Sequence, residues 1–118
     1  MIEYLPTSMP TCFVAKLSGK LRGTEYKELI GKVEGLIQAH GFADLVLVLQ
    51  DLEFPEWEAI KADMHFGFKD YRHVRRAAYV GDQKGADWFV TLIGPFTHAA
   101  ERSFASEQLS EAIQWASS

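Results

Sequence analysis

A chain of 118 residues, 47% hydrophobic and 24% charged, has the make-up of one globular domain over residues 1–118. Such a chain buries roughly two thirds of the surface its unfolded form exposes and needs neither disulfide nor metal to hold its core. A formal net charge of -4 disfavours nucleic acid, whose phosphates call for a basic surface. The lone Cys12 excludes an internal disulfide and fits a reducing cytosol. Met1 to Pro6 lacks the basic head and apolar run of a signal peptide. No stretch approaches the ~20 apolar residues of a membrane span, so a cytoplasmic location is expected.

Strand-like and helix-like patterns take turns along the chain. Ile2 to Leu5 is a short extended segment stopped by Pro6 and Pro10, and Cys12 to Leu17 is a second, turning at Ser18-Gly19. Thr24 is the predicted cap of a helix carrying Tyr26, Leu29, Ile30, Val33, Leu36 and Ile37 on one face, with an end near His40-Gly41. The unbroken apolar run Leu45 to Leu49 has no polar alternation, which suits a central strand covered on both faces. Pro55 opens a second predicted helix with Trp57, Ile60 and Met64 in one stripe. Val74 to Val80 reads as a strand closed by Gly81-Asp82. Ala86 to Ile93 reads as a helix halted by Gly94-Pro95, and Ala99 to Phe104 as a last strand. Ser106 then caps a final helix with Leu109, Ala112, Ile113 and Ala116 inward. The order ββαβαβαβα calls for an α/β domain with a mostly parallel, five-stranded mixed sheet and about four helices.

These residues resemble a known family. The Gly19-Lys20-Leu21 exit from the second strand, the Asp51 loop running into Trp57, Asp63-x-x-Phe66-Gly67, Ala77-Ala78-Tyr79-Val80-Gly81-Asp82 and the Phe104 to Trp115 ending look like the SpoIIAA-like branch of the STAS superfamily. The resemblance covers nearly the whole chain and rests on structural motifs. It implies a small bacterial α/β domain with its first strand antiparallel to the rest, and kinship with the Sec14-type lipid-binding fold. It carries over no catalytic set.

The segment after the central strand decides which family function survives. In anti-sigma factor antagonists a partner kinase phosphorylates a serine or threonine there, and the added charge weakens docking. Here there is no serine or threonine from Glu25 to Val90, and the segment reads Gln50-Asp51-Leu52-Glu53-Phe54-Pro55-Glu56-Trp57. The carboxylates of Asp51, Glu53 and Glu56 suit the positive end of a following helix, at about 0.3–1 kcal/mol each. A sharper reading makes Glu53 the imitation of a permanently phosphorylated state.

Other chemistry is thinly supported. His40, His65, His73 and His98 are scattered, Asp63 and His65 point to different faces of a helix, and no metal-ligand spacing results. Cys12, between apolar neighbours, reads as core rather than nucleophile. Gly81-Asp82-Gln83-Lys84-Gly85 lacks the spacing of a phosphate-binding loop. The basic run Tyr71-Arg72-His73-Val74-Arg75-Arg76 enters a strand, so alternation spreads its charge over both faces, with Asp63 or Asp70 as pairing candidates. Gly31 and Gly35 lie opposite the apolar face of the first helix, tolerated there or admitting a second subunit as a homodimer.

The sequence reading is therefore a non-enzymatic cytosolic interaction or regulatory module without cofactor, metal or serine switch. It meets a protein partner through Asp51, Glu53, Phe54, Glu56 and Trp57. The alternative is a carrier of a small apolar ligand or lipid in a Sec14-like pocket lined by Trp57, Met64, Trp88, Phe89 and Phe96.

Overall fold

The computed structural model describes residues 1–53, 73–81 and 100–118. In chain order these form β1 (Ile2–Leu5), β2 (Cys12–Lys20), α1 (Gly23–His40), β3 (Ala43–Glu53), β4 (Val74–Gly81), β5 (Ala100–Phe104) and α2 (Leu109–Ser117). The strands make one five-stranded sheet in the order β1-β2-β3-β4-β5. The sheet is mixed, and the expectation of a mostly parallel one is corrected, while the antiparallel first strand implied by the family resemblance is present. β1 runs antiparallel to β2, because a link as short as residues 6–11 can turn the chain back but cannot carry it across to a parallel start. The β2/β3, β3/β4 and β4/β5 pairs are parallel. Two helices, not about four, occur among the described residues. The helices expected after Pro55 and over Ala86 to Ile93 lie outside them.

Period-two alternation divides the core between the two sheet faces. On one face Ala15, Leu17, Leu45, Leu47, Leu49, Ala77 and Tyr79 pack against Tyr26, Leu29, Val33 and Ile37 of α1. On the other, Cys12, Val14, Val46, Ala78, Val80 and Phe104 meet Ala112 and Ala116 of α2, with Leu109, Ile113 and Trp115 at the margin. Alternate residues of β3 thus serve opposite faces, which is why its apolar run has no polar member. Burying each of the valine, leucine and isoleucine side chains contributes about 1.5–3 kcal/mol.

The helix ends differ from expectation in their caps. α1 starts one residue before Thr24, with Arg22 as its cap residue, and the Glu25 carboxylate accepts the Arg22 backbone N–H at 3.4 Å. It ends where expected: Gly41 adopts φ 86° and donates its N–H to Ile37 O at 2.7 Å, a left-handed cap that glycine takes without strain. Ser106 does not cap α2. Gln108 is the cap residue, and its side-chain oxygen turns back to accept the Ala105 N–H at 2.8 Å, leaving Ser106 in the preceding turn.

The basic run also behaves differently. In the β3/β4 ladder Ala43 faces Val74, but Asp44 faces Arg76, so Arg75 is an extra residue that breaks the alternation. Both arginines consequently converge on the end of α2 instead of dividing between the faces. Arg75 grips the fully buried Asp44 through Nε to Oδ1 and a terminal nitrogen to Oδ2, both at 2.9 Å. That same terminal nitrogen donates to Ala116 O at 3.1 Å, and Arg76 donates to Trp115 O and to Ser118 Oγ. The last carbonyls of α2, the negative end of its dipole, are thus met by two cations. Asp44 takes the pairing role expected of Asp63 or Asp70, which lie outside the described residues.

Candidate functional site

β3 is longer than its apolar run, and this alters the setting of the acidic residues. It continues to Glu53, so Asp51 and Glu53 belong to the strand end and not to a loop. The register moves from Ser18 opposite Gln50 to Lys20 opposite Glu53, which places one extra residue on β3. That bulge is centred on Asp51, whose φ is 51°; aspartate is one of the few side chains that accept this left-handed conformation. Leu52 packs against the α1-side core. Glu53 is exposed, and its carbonyl accepts the Leu21 N–H at 3.0 Å, extending the β2/β3 pairing past the bulge.

A cavity of about 480 Å³ lies at this strand end, lined by Lys16, Val48, Leu49, Gln50, Asp51, Gly81 and Ser106. These residues come from the middle of β2, the carboxyl-terminal halves of β3 and β4, and the turn before α2. Its floor is tight. A side chain at Gly81, which has φ 104°, would put its Cβ 2.7 Å from Leu49 O, so only glycine lets β4 approach β3 this closely.

Of the expected partner-binding residues, the structure brings Asp51 to the cavity and places Glu53 at the end of the same strand. Phe54, Glu56 and Trp57 lie outside the described residues, as does the whole alternative pocket of Trp57, Met64, Trp88, Phe89 and Phe96. Lys16, Gln50, Gly81 and Ser106 were missed. Lys16 had a signal: it continues the Cys12, Val14 stripe of β2, and a charge on an otherwise apolar stripe must find solvent or a partner. Ser106 had none, since only the fold brings its turn to the end of β3. It brings a hydroxyl from a distant segment to the cavity.

Cys12 is 3% exposed; burial raises its thiol pKa, with the Ser117 hydroxyl opposing the rise and the Asp44 carboxylate adding to it. A thiol kept protonated in this way packs as a small apolar group. Burial raises the carboxyl pKa of Glu101 on β5, and burial together with that carboxylate raises the phenol of Tyr79 on β4. His40 and His73 are exposed, while His65 and His98 lie outside the described residues. No group of three or more His, Cys, Asp or Glu among the described residues is placed to hold a metal ion. No helix among them is long and apolar enough to cross a membrane. Gly31 and Gly35 are exposed, with open space where a side chain would stand.

Comparison with known proteins adds a family-level likeness. A family model described as SpoIIAA-like matches residues 12–117. A solved structure from Shewanella loihica PV-4, an uncharacterized protein of the DUF3478 family with a SpoIIAA-like fold, superposes with a TM-score of 0.69 at 19% identity. The alignment covers 98% of this chain and 92% of that one, and at this identity the likeness is one of fold. None of the curated proteins matches the chain.

Proposed function

Since the chain belongs to the SpoIIAA-like family, within the STAS superfamily, we propose that it is a non-enzymatic, cytosolic interaction or regulatory module. On this reading it is one domain that docks on a protein partner through the end of β3 and does not use the serine or threonine switch of anti-sigma factor antagonists. The observation that carries the reading is Asp51. It is exposed at a bulge in left-handed backbone, and it lines the cavity that residues of β2, β3 and β4 form with the turn before α2. Proteins retain such conformations where the position of a side chain matters. Glu53, at the end of the same strand, adds a second exposed carboxylate, and a basic patch on the partner is the complementary surface. Phe54, Glu56 and Trp57 extend the same docking segment by sequence.

The test compares wild type with an Asp51→Lys, Glu53→Lys variant in capture from lysate of the source organism, followed by native mass spectrometry. The wild type is expected to retain a protein that the charge-reversed variant loses. Identical capture by both forms would sink the docking surface. A co-purifying lipid in the native spectrum would favour the carrier instead. The idea that Glu53 imitates a phosphorylated state is tested by Glu53→Ser, and unchanged partner binding would count against it.

A further inference from the structure

Among the described residues, the cavity carries one cation and one anion, Lys16 and Asp51, that no described group neutralises. Lys16 and Asp51 both line it. Among the described residues neither side chain makes an ion pair or a hydrogen bond. At the opposite ends of the strands the contrast is plain: Arg75 and Asp44 meet at 2.9 Å. Two opposite charges that line one cavity without a described partner present positive and negative potential to the same space. A ligand of single charge satisfies one and is repelled by the other, whereas a zwitterion satisfies both.

The rest of the described lining agrees with such an occupant. Gln50 offers an amide donor and acceptor, Ser106 a hydroxyl, and Val48 and Gly81 a neutral floor. A volume of about 480 Å³ falls within the range of roughly 300–1,000 Å³ typical of small-molecule sites. It suits a single small molecule with room for a side chain.

From these features we infer that the cavity binds a free α-amino acid, its ammonium group at Asp51 and its carboxylate at Lys16. Gln50 and Ser106 complete the hydrogen bonding. The inference goes beyond the partner-docking reading and does not depend on it, because the ligand is held by residues of this chain alone.

The experiment uses purified full-length protein and two-dimensional amide NMR, with each of the protein L-amino acids titrated singly. For the tightest binder, the matched amine lacking the carboxylate and the matched acid lacking the ammonium are titrated in parallel. Saturable shifts are expected at Lys16, Gln50, Asp51, Gly81 and Ser106, and each half-molecule should bind roughly tenfold more weakly or worse, as loss of a charge-assisted hydrogen bond implies. Lys16→Gln and Asp51→Asn should each weaken binding by a similar factor. Asparagine accepts the backbone conformation of Asp51, so that variant keeps the test open if the first fails to fold. No saturable shift with any amino acid would overturn the inference, as would equal binding of either half-molecule or undiminished binding by the folded variants. Failure to capture a protein partner from lysate would leave all of these outcomes unchanged.

Discussion

The Asp44–Arg75 pair makes an asymmetric prediction about stability. The Asp44 side chain is 1% exposed and that of Arg75 39%, so the two partners lose very different amounts of hydration on folding. Arg75→Met leaves a buried carboxylate without the two donors that Arg75 supplies, an arrangement that costs about 3–5 kcal/mol. The loss of the bond to Ala116 O adds to it. Asp44→Asn leaves a neutral amide that still accepts one bond from a guanidinium able to reach water, and the expected cost is about 1–2 kcal/mol. The Arg75→Met, Asp44→Leu double variant removes both charges and should recover much of the loss of the first single variant, since breaking one partner is worse than replacing both. Urea unfolding followed by far-ultraviolet circular dichroism measures all three. Equal costs for the two single variants, or a double variant showing simple additivity, would refute the reasoning.

Two further outcomes follow from the same physics. Gly81→Ala sets a Cβ against Leu49 O in positive-φ backbone and should lower stability by about 1–3 kcal/mol; an unchanged thermal midpoint would mean that the two strand ends separate freely. Glu101 has a raised pKa through burial, so its folded form favours the proton and the associated stability is lost as pH rises through the folded pKa. Glu101→Gln should therefore stabilise at neutral pH and make no difference below about pH 4, near the unfolded carboxyl value; a gain that persists undiminished in acid would contradict this.

What the sequence disclosed followed from periodicity. The α1 face, the doubly covered run in β3 and the inner face of α2 are repeating patterns, and repeats survive small local irregularities. The features it hid are breaks in a repeat. Val74 and Ala77 both serve the α1 side of the sheet, three positions apart in a strand, a spacing that strict alternation forbids. That mismatch shows only in the structure, because the sequence does not say which face Val74 and Ala77 take. The bulge at Asp51 had a weak sign, since aspartate tolerates left-handed backbone without requiring it. The cavity was illegible for another reason: Lys16, Asp51, Gly81 and Ser106 are far apart in sequence, and only the parallel register gathers them. Of the acidic segment singled out in advance, Asp51 reached the cavity, and Phe54, Glu56 and Trp57 fall beyond the described residues.

The supernumerary Arg75 also changes how β4 answers to mutation. Deleting it would restore an even ladder and keep Val74, Ala77 and Tyr79 turned toward the same helix, so both apolar layers would stay in phase. The carboxylate beneath would nevertheless be stranded. A residue dispensable to the geometry of the strand is, for that reason, free to serve the electrostatics of its neighbour, and a shortened chain should regain its stability only when Asp44 is made apolar as well.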